Sequence, residues 1–269
     1  MILCLSLFVI FITKLLFPKT KTYFFANDHT IRKSFKNTEM FSPNTCVITW
    51  VGITLIILGL TETYQKKSIK QTFLSVSYTI LNLAAGAVVT YAITLILKSI
   101  VRQLRPDFID LCGINLNSIK QHYISDINLH VQITNYTCIN SAALENYDEL
   151  IEDGYMAFVS GHASISSYVA EYLCLYLDFY ILSYLAATKN MRCSISAYFL
   201  TVFTQIVLFT LALCIAFSRM SDNRHHIENI IIGLTLGYVI AKESFRFHCT
   251  SGIRFIRYFW VNKKKIKLH

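Results

Sequence analysis

Long apolar stretches separated by short polar connections make up most of this chain. Each stretch is close to the ~20 residues that a helix needs to cross the hydrocarbon core of a bilayer. Six of them are found, at residues 1–17, 46–64, 72–97, 164–187, 195–217 and 227–245. The pattern predicts an all-α, polytopic membrane protein with six transmembrane helices, folded as a single domain over residues 1–269.

Charged residues in the first and fourth stretches affect their interpretation. The first is short and contains Lys14, so it also fits the apolar core of a signal peptide; no small-residue cleavage pattern follows it, which favours a retained helix. The fourth contains Glu171 and Asp178. Because a carboxylate facing lipid is unfavourable, we expect both to face the helix bundle or to lie near an end of the span.

Composition agrees with the membrane prediction. The chain is 54% hydrophobic and 15% charged, whereas a soluble domain carries about 25% charged residues. The net charge of +9 would by itself also fit a nucleic-acid-binding protein. The basic tail directly follows the last predicted span, however, where attraction to anionic lipid is the usual role, so no nucleic-acid partner is expected.

The orientation follows from the distribution of basic residues. The connections after the second and fourth spans and the C-terminal tail are rich in Lys and Arg, which is typical of cytoplasmic segments. This predicts that both chain ends are cytoplasmic and that the long loop between spans three and four lies outside. The basic segment 18–44, assigned to the outer side, runs against the rule.

The long loop contains two features of an extracytoplasmic segment. Asn135 begins a glycosylation acceptor triplet, and Cys112 and Cys138 could form a disulfide in an oxidising compartment. The other six cysteines lie in or beside apolar spans, where we expect small buried side chains. No close cysteine pair has zinc-ligand spacing, so no metal site is expected.

Three polar clusters stand at the ends of apolar spans: Lys98–Pro106, Ser160–His162 and Ser218–Asn229. A chain that crosses the membrane alternately places all three on one face, which is the outer one here. Together they supply cations and imidazoles that can hold a phosphoryl group and transfer it through a covalent histidine: Lys98, Arg105, Arg219, His162 and His225.

Each cluster also has a purely structural interpretation. Single cations at helix ends commonly reach for the membrane interface, Ser160 could be an ordinary helix cap, and His225 could be an interfacial histidine. The seven-residue separation of Lys98 and Arg105 predicts that both lie on one helix face. Ser160 and Gly161 precede a predicted helix, whose N-terminal N–H groups favour an anion.

These motifs resemble those of the lipid phosphate phosphatases, which belong to the type 2 phosphatidic acid phosphatase superfamily. That family's pattern of Lys, six residues and Arg-Pro is met by Lys98, Arg105 and Pro106; its Ser-Gly-His by residues 160–162; and its Ser-Arg, five residues and His by Ser218, Arg219 and His225. The resemblance covers most of the chain from about residue 20 to 245.

The resemblance implies a division of roles. His225 would attack phosphorus and His162 would protonate the leaving lipid alkoxide. The phosphate oxygens would be bound by five residues, with no metal or other cofactor: Lys98, Arg105, Ser160, Gly161 and Arg219.

One position departs from the family pattern. Asn229 stands where the family has an Asp that fixes the imidazole of the nucleophile. The corresponding Asp-to-Asn change in the serine-protease triad lowers turnover by about 10⁴. This leaves open a slow or inactive protein that only binds lipid phosphates, and we hypothesise that Glu228 partly replaces the missing carboxylate.

The expected substrate is a phosphomonoester lipid at the outer interface, such as phosphatidate, lysophosphatidate, a sphingoid-base phosphate or ceramide phosphate. An anion transporter is a third alternative, but it would need polar or broken helices near the midplane. The resemblance is compatible with a homo-oligomer, and with either the plasma membrane or an internal membrane.

Overall fold

The computed structural model describes residues 22–64, 69–115, 132–139, 147–187 and 191–266. The first predicted span, 1–17, lies outside these residues. The elements are β1 (Phe24–Phe25), α1 (Pro43–Tyr64), α2 (Ile69–Val101), α3 (Phe108–Cys112), β2 (Gln132–Ile133), α4 (Tyr147–Gly154), α5 (Gly161–Ala187), α6 (Met191–Ser221) and α7 (Ile227–Ile266).

The five predicted spans within the described residues all coincide with long helices. The difference is largest in α7, which continues to Ile266, beyond the predicted end at residue 245. Within the described part of the chain, three segments are long and apolar enough to cross a membrane: Pro43–Glu62, Ile69–Val101 and Arg192–Ser221. The prediction of six spans remains a prediction.

Helix α5 lies at the centre of the bundle and packs against α1, α2, α6 and α7. Its many hydroxyl groups bind these neighbours. Ser166 accepts a hydrogen bond from Trp50 of α1 at 3.0 Å, Ser164 and Thr94 of α2 are 3.0 Å apart, and Ser167 donates to the Leu234 carbonyl of α7 at 2.7 Å. A helix surrounded by protein can carry more polar groups than one that faces lipid, because its neighbours satisfy them.

The two carboxylates predicted for this helix differ in position. Glu171 is buried, as expected for a carboxylate that faces the bundle. Asp178 is exposed, and its carboxylate accepts a hydrogen bond of 2.7 Å from the Gln205 amide of α6. The expectation is thus confirmed for Glu171, whereas Asp178 is exposed but contacts the neighbouring helix α6 of the bundle.

Two glycines of α7 allow it to lie directly against α5. A Cβ atom on Gly233 would stand 2.8 Å from the Ser160 carbonyl oxygen and 3.0 Å from the Ala163 Cβ. A Cβ atom on Gly237 would come within 2.7 Å of the Tyr168 nitrogen. This close packing holds the beginning of α7 beside the beginning of α5, where two of the three polar clusters lie.

A second, smaller apolar core covers this end of the bundle, and it contains a feature that the all-α prediction missed. Strands β1 and β2 pair in antiparallel fashion, with Phe24 opposite Ile133. The predicted disulfide between Cys112 and Cys138 is present and ties the segment after β2 to α3.

The remaining cysteines follow the prediction only in part. Cys46 and Cys174 are buried, as expected, and Cys249 is partly buried. Cys193 and Cys214 are exposed on α6, so the prediction of burial is wrong for these two. Cys4 lies outside the described residues.

Candidate active site

The chain leaves α2 abruptly, just before Arg105. The helix ends at Val101, and Arg102 adopts a left-handed backbone with φ of 44°, an uncommon conformation for a residue other than glycine. Arg102 is held there by an ion pair of 2.8 Å with Glu152. The prediction that Lys98 and Arg105 share one helix face is therefore wrong, because Arg105 lies in the loop beyond the helix.

That loop runs alongside the segment that precedes α5. Arg105 donates its backbone N–H to the Gly154 carbonyl at 2.9 Å, and Ala157 donates its own to the Gln103 carbonyl at 2.9 Å. Two segments that are about fifty residues apart in sequence are thereby fixed side by side. Arg105 reaches the site through this pairing and not through helix periodicity.

His225 lies in the turn between α6 and α7 and is almost completely buried. Its Nδ1 atom is 2.7 Å from the carbonyl oxygen of Ala157. A carbonyl can only accept a hydrogen bond, so Nδ1 must carry the proton. Burial, together with the positive charges of Arg105 and Lys98, holds the pKa of His225 well below its usual value. The imidazole is therefore neutral, and the lone pair is on Nε2.

His162 stands at the first turn of α5, ahead of the predicted span 164–187. Burial, reinforced by Arg219, lowers the pKa of His162 to about 4, although Glu39 acts in the opposite direction. The same three cations, all predicted from the sequence, act electrostatically on both imidazoles: Lys98, Arg105 and Arg219. The structure thus brings the three distant clusters into one site.

Ser160 and Gly161 form the junction between the preceding loop and α5. Ser160 is fully buried, and its N–H donates to the Asn229 backbone carbonyl at 3.2 Å. Its hydroxyl lies 3.5 Å from the Ala163 nitrogen, a weak helix-capping contact. Among the described residues, a Cβ atom on Gly161 would lie near Thr94 alone, at 3.9 Å, so the backbone at Gly161 is not closely packed on that side.

The guanidinium of Arg219 is buried and bound on several sides. It contacts the Glu39 carboxylate at 3.1 Å, the Asp222 carboxylate at 3.2 Å and the Phe41 carbonyl at 2.9 Å. Arg105 forms an ion pair of 2.6 Å with Asp153. Both cations therefore have carboxylate partners in this structure.

Sequence reasoning missed the acidic partners and one buried cation. Glu39 and Asp153 lie outside the three clusters, and nothing in their sequence context indicated a contact with the site. Arg224 directly precedes His225 and is buried; it pairs with Glu39 and with Asp107, each at 3.3 Å. Because Arg224 lies within the third cluster, the sequence could have predicted that it is close to the site.

Several buried nitrogen atoms at the site have no hydrogen-bond partner within the described residues. They include Nε of Arg105, Nε of Arg219 and Nε2 of His162. Buried polar atoms in folded proteins are nearly always paired, so a cluster of exceptions is a sign of function. Two guanidinium N–H groups beside an imidazole fit an oxyanion such as phosphate.

The side chain of Asn229 does not take the place of the family's Asp. It is fully buried, and neither amide atom has a hydrogen-bond partner in the described part of the chain. Glu228 is exposed, with its carboxylate 3.4 Å from the Gln103 amide. Nδ1 of His225 is bound to Ala157, so neither Glu228 nor the Asn229 side chain takes the hydrogen bond that the family's Asp would accept. The backbone carbonyl of Asn229 binds the Ser160 N–H instead.

No metal site is recognisable near these residues. Within the described ranges, no group of three or more His, Cys, Asp and Glu side chains is arranged to hold a metal ion. The prediction of metal-independent chemistry stays a prediction.

The chain is similar to several phospholipid phosphatases. It is 29% identical over 149 residues to "Phospholipid phosphatase homolog 1.2 homolog" of Caenorhabditis elegans, covering 55% of this chain and 38% of that protein. It is 30% identical over 156 residues to phospholipid phosphatase 1 of Rattus norvegicus, covering 58% and 47%. The matched part thus spans less than half the length of these two relatives.

A longer match is found with phospholipid phosphatase 2 of Mus musculus, at 24% identity over 234 residues, covering 84% of this chain and 76% of the mouse protein. No solved structure matches the chain. The family model described as "PAP2 superfamily" matches residues 79–252, a range that includes all three polar clusters and well over half of the chain. The chain therefore belongs to the PAP2 superfamily.

Proposed function

We propose that this protein is an integral-membrane lipid phosphate phosphatase that works through a phosphohistidine on His225. The observation that carries the proposal is the hydrogen bond between Nδ1 of His225 and the Ala157 carbonyl. It fixes one tautomer and leaves Nε2 as a neutral nucleophile among three cations. Neutral imidazole is the form that can attack phosphorus, and an oriented base of this kind is the usual device of covalent catalysis.

The cations would bind the phosphate oxygens. Arg105 and Arg219 present guanidinium groups that match an oxyanion in geometry and charge, and Lys98 adds a third positive charge. The Ser160 N–H is already bound to Asn229, so Ser160 would act through its hydroxyl and Gly161 through its N–H at the start of α5. These groups stabilise the charge that spreads over the phosphoryl oxygens in the transition state.

The reaction then proceeds in two displacements. Nε2 of His225 forms a bond to phosphorus while the bond from phosphorus to the lipid oxygen breaks, and His162 gives its proton to the departing alkoxide. In the second step His162 takes a proton from water, the oxygen of that water bonds to phosphorus, and the bond to Nε2 breaks. The products are the lipid alcohol and inorganic phosphate, and both histidines return to their initial states.

The proton on His162 must arrive with the substrate. With a pKa of about 4, His162 is neutral at pH 7 in this structure. The negative charge of a bound phosphate favours the protonated imidazole and raises that pKa. We therefore infer that substrate binding and protonation of His162 are coupled.

The substrate would be a lipid with a terminal phosphomonoester, such as phosphatidate, lysophosphatidate, a sphingoid-base phosphate or ceramide phosphate. The apolar helices Pro43–Glu62, Ile69–Val101 and Arg192–Ser221 support a membrane location, in which the lipid tails stay in the bilayer. We further propose six spans with the site on the extracellular or lumenal face of the plasma membrane or an internal membrane.

The test is phosphate release from phosphatidate in detergent micelles, with EDTA present, by the purified full chain. We expect release by the wild-type protein, none by the His225→Ala variant, and nearly wild-type release by His29→Ala, which removes an exposed histidine outside the site. A labelled phosphoryl group attached to His225 in a rapid-quench experiment would support the covalent step. Equal rates for wild type and His225→Ala would overturn the proposal, and phosphatidate binding without release would indicate a binding protein.

A further inference from the structure

The phosphate-binding cations already hold carboxylates of the chain itself. Arg105 binds Asp153 through Nη2 and Oδ2 at 2.6 Å. Arg219 binds Glu39 at 3.1 Å and Asp222 at 3.2 Å. Carboxylate and phosphate oxygens accept hydrogen bonds from the same guanidinium N–H groups, so a phosphate that enters this site meets anions that already occupy its donors.

Of these three carboxylates, Asp153 is the one with freedom to leave. Asp222 is buried, and its Oδ2 also accepts the backbone N–H of Met40 at 3.1 Å. Glu39 is shared between Arg219 and Arg224. The side chain of Asp153 is 45% exposed, whereas that of Arg105 is 7% exposed. A buried cation is therefore paired with a carboxylate that is partly open to solvent.

Asp153 lies within the electrostatic field of the whole site. Burial alone would raise the pKa of Asp153, but Arg105 and three further cations outweigh this effect and hold it below its usual value: Lys98, Arg224 and Arg219. The carboxylate is therefore ionised at neutral pH. Its negative charge interacts with the same three cations that act on both imidazoles: Lys98, Arg105 and Arg219.

We propose that Asp153 is an internal competitor of the phosphate group, which binds Arg105 before substrate arrives, is displaced by the incoming phosphoryl group and returns as inorganic phosphate leaves. The identity of the ligand as a phosphomonoester rests on the proposed function. Asp153 lies near the end of α4, four residues before Ala157, whose carbonyl holds His225, so its side chain can swing outward without moving that carbonyl. Its physical effect is to weaken the binding of phosphate to Arg105 and to favour release of the product.

A purely structural role predicts the opposite result. If Asp153 served only to hold Arg105 in position, its removal would leave the guanidinium misplaced and would weaken phosphate binding. If it competes with phosphate, its removal frees the guanidinium and strengthens phosphate binding. The sign of the change in affinity therefore separates the two roles.

The experiment compares Asp153→Asn with wild type in the full chain purified in detergent. The side chain of Asn has nearly the same shape but no charge, so folding should be preserved. The matched control is Asp148→Asn, an exposed carboxylate in the first turn of the same helix. The dissociation constant of inorganic phosphate is measured by isothermal titration calorimetry, together with inhibition of phosphatidate hydrolysis by phosphate.

We expect Asp153→Asn to lower the dissociation constant of phosphate by about tenfold, the change expected when one charge-assisted competitor is removed, and Asp148→Asn to change it by less than about twofold. Tighter phosphate binding without hydrolysis by either protein would support the competitor role and reject the proposed function. Hydrolysis with unchanged or weaker phosphate binding in Asp153→Asn would overturn the competitor role and leave the proposed function intact. Absence of both binding and hydrolysis in the wild-type protein would overturn both.

Discussion

The Nδ1 atom of His225 lies 2.7 Å from the carbonyl oxygen of Ala157, at the point where the loop that precedes α5 passes the beginning of α7. A carbonyl of the main chain thus takes the hydrogen bond that a carboxylate takes in the family pattern. The Ala157 carbonyl accepts the hydrogen bond from Nδ1–H and selects the tautomer as an Asp would. It brings no full negative charge, so it stabilises a positively charged imidazole less.

This arrangement predicts that the side chain of Asn229 is dispensable for turnover. Its amide makes no hydrogen bond within the described residues, so an Asn229→Leu variant, which has the same branched arrangement of side-chain heavy atoms, replaces unsatisfied polar atoms with apolar ones. We expect kcat to fall by less than about tenfold, far from the ~10⁴-fold loss of the serine-protease analogy, and Tm to stay the same or rise. Steady-state kinetics and thermal unfolding of the purified variant test this.

The comparison is made with His225→Ala measured in the same assay. If Asn229→Leu were as inactive as His225→Ala while remaining folded, Asn229 would be shown to orient the nucleophile after all.

The contact between α5 and α7 predicts that replacing a glycine by alanine destabilises the protein at Gly237 but not at Gly59. In Gly237→Ala the new Cβ would overlap the α5 backbone near Ser164 and Tyr168, so the helices must separate. We expect a loss of about 1–3 kcal/mol in the free energy of unfolding, the usual range for overpacking. In Gly59→Ala on α1 the new Cβ would have no atom of the described residues within 4 Å, so the change should be neutral or stabilising by about 0.5–1 kcal/mol, since Ala favours the helix.

The same contact links packing to activity. In Gly233→Ala the new Cβ would come too close to the Ser160 carbonyl and displace a residue of the site. We therefore expect the loss in kcat/KM, expressed as a free energy, to exceed the loss in the free energy of unfolding. The measurements are denaturant unfolding and phosphate release. A Gly233→Ala protein with unchanged kinetics, or a Gly237→Ala protein as stable as Gly59→Ala, would contradict the close packing.

The buried histidines predict a stability that falls in acid. An unfolded histidine has a pKa of about 6.5, whereas that of His162 is about 4 and that of His225 is also well lowered. Below pH 6.5 the unfolded chain therefore binds more protons than the folded one, and the free energy of unfolding decreases as the pH falls. Asp107 opposes this trend, because burial, partly offset by Arg224, raises its pKa to about 6.

Two histidines outweigh one carboxylate, so we expect Tm to be lower at pH 5 than at pH 7. His162→Gln removes one of the two groups and should show a smaller drop over the same range. Thermal unfolding of both proteins, without added phosphate, at the two pH values measures the effect. An equal drop in both proteins would show that His162 does not titrate as described.

The disulfide predicts a specific dependence on oxidation. The bond between Cys112 and Cys138 holds Ile133 and Tyr136 against α3 in the second, smaller apolar core. The double variant Cys112→Ala, Cys138→Ala should lose about 2–4 kcal/mol in the free energy of unfolding. Cys214→Ala, which removes an exposed free thiol, is the control. Reducing agent should destabilise wild type and the control but not the double variant; equal sensitivity of all three would contradict the role of the bond.

The helices of this protein could be predicted from its sequence alone. Runs of apolar residues near the length of a bilayer define α1, α2, α5, α6 and α7, because helix formation and burial in an apolar medium depend on local composition. The order of the runs also brings five residues to one end of the bundle, since successive antiparallel helices return the chain to the same end: Lys98, Arg105, Arg219, His162 and His225.

Only the tertiary structure decided how those residues meet. Helix periodicity could not show that α2 stops at Val101, because the ion pair of Arg102 with Glu152 comes from a segment fifty residues away. It also could not show that Ala157 binds His225 or that Glu39 and Asp153 bind the arginines. The partner of a buried polar group is set by the paths of loops that are distant in sequence, and no local pattern of residues records which carbonyl or carboxylate those paths bring within 3 Å.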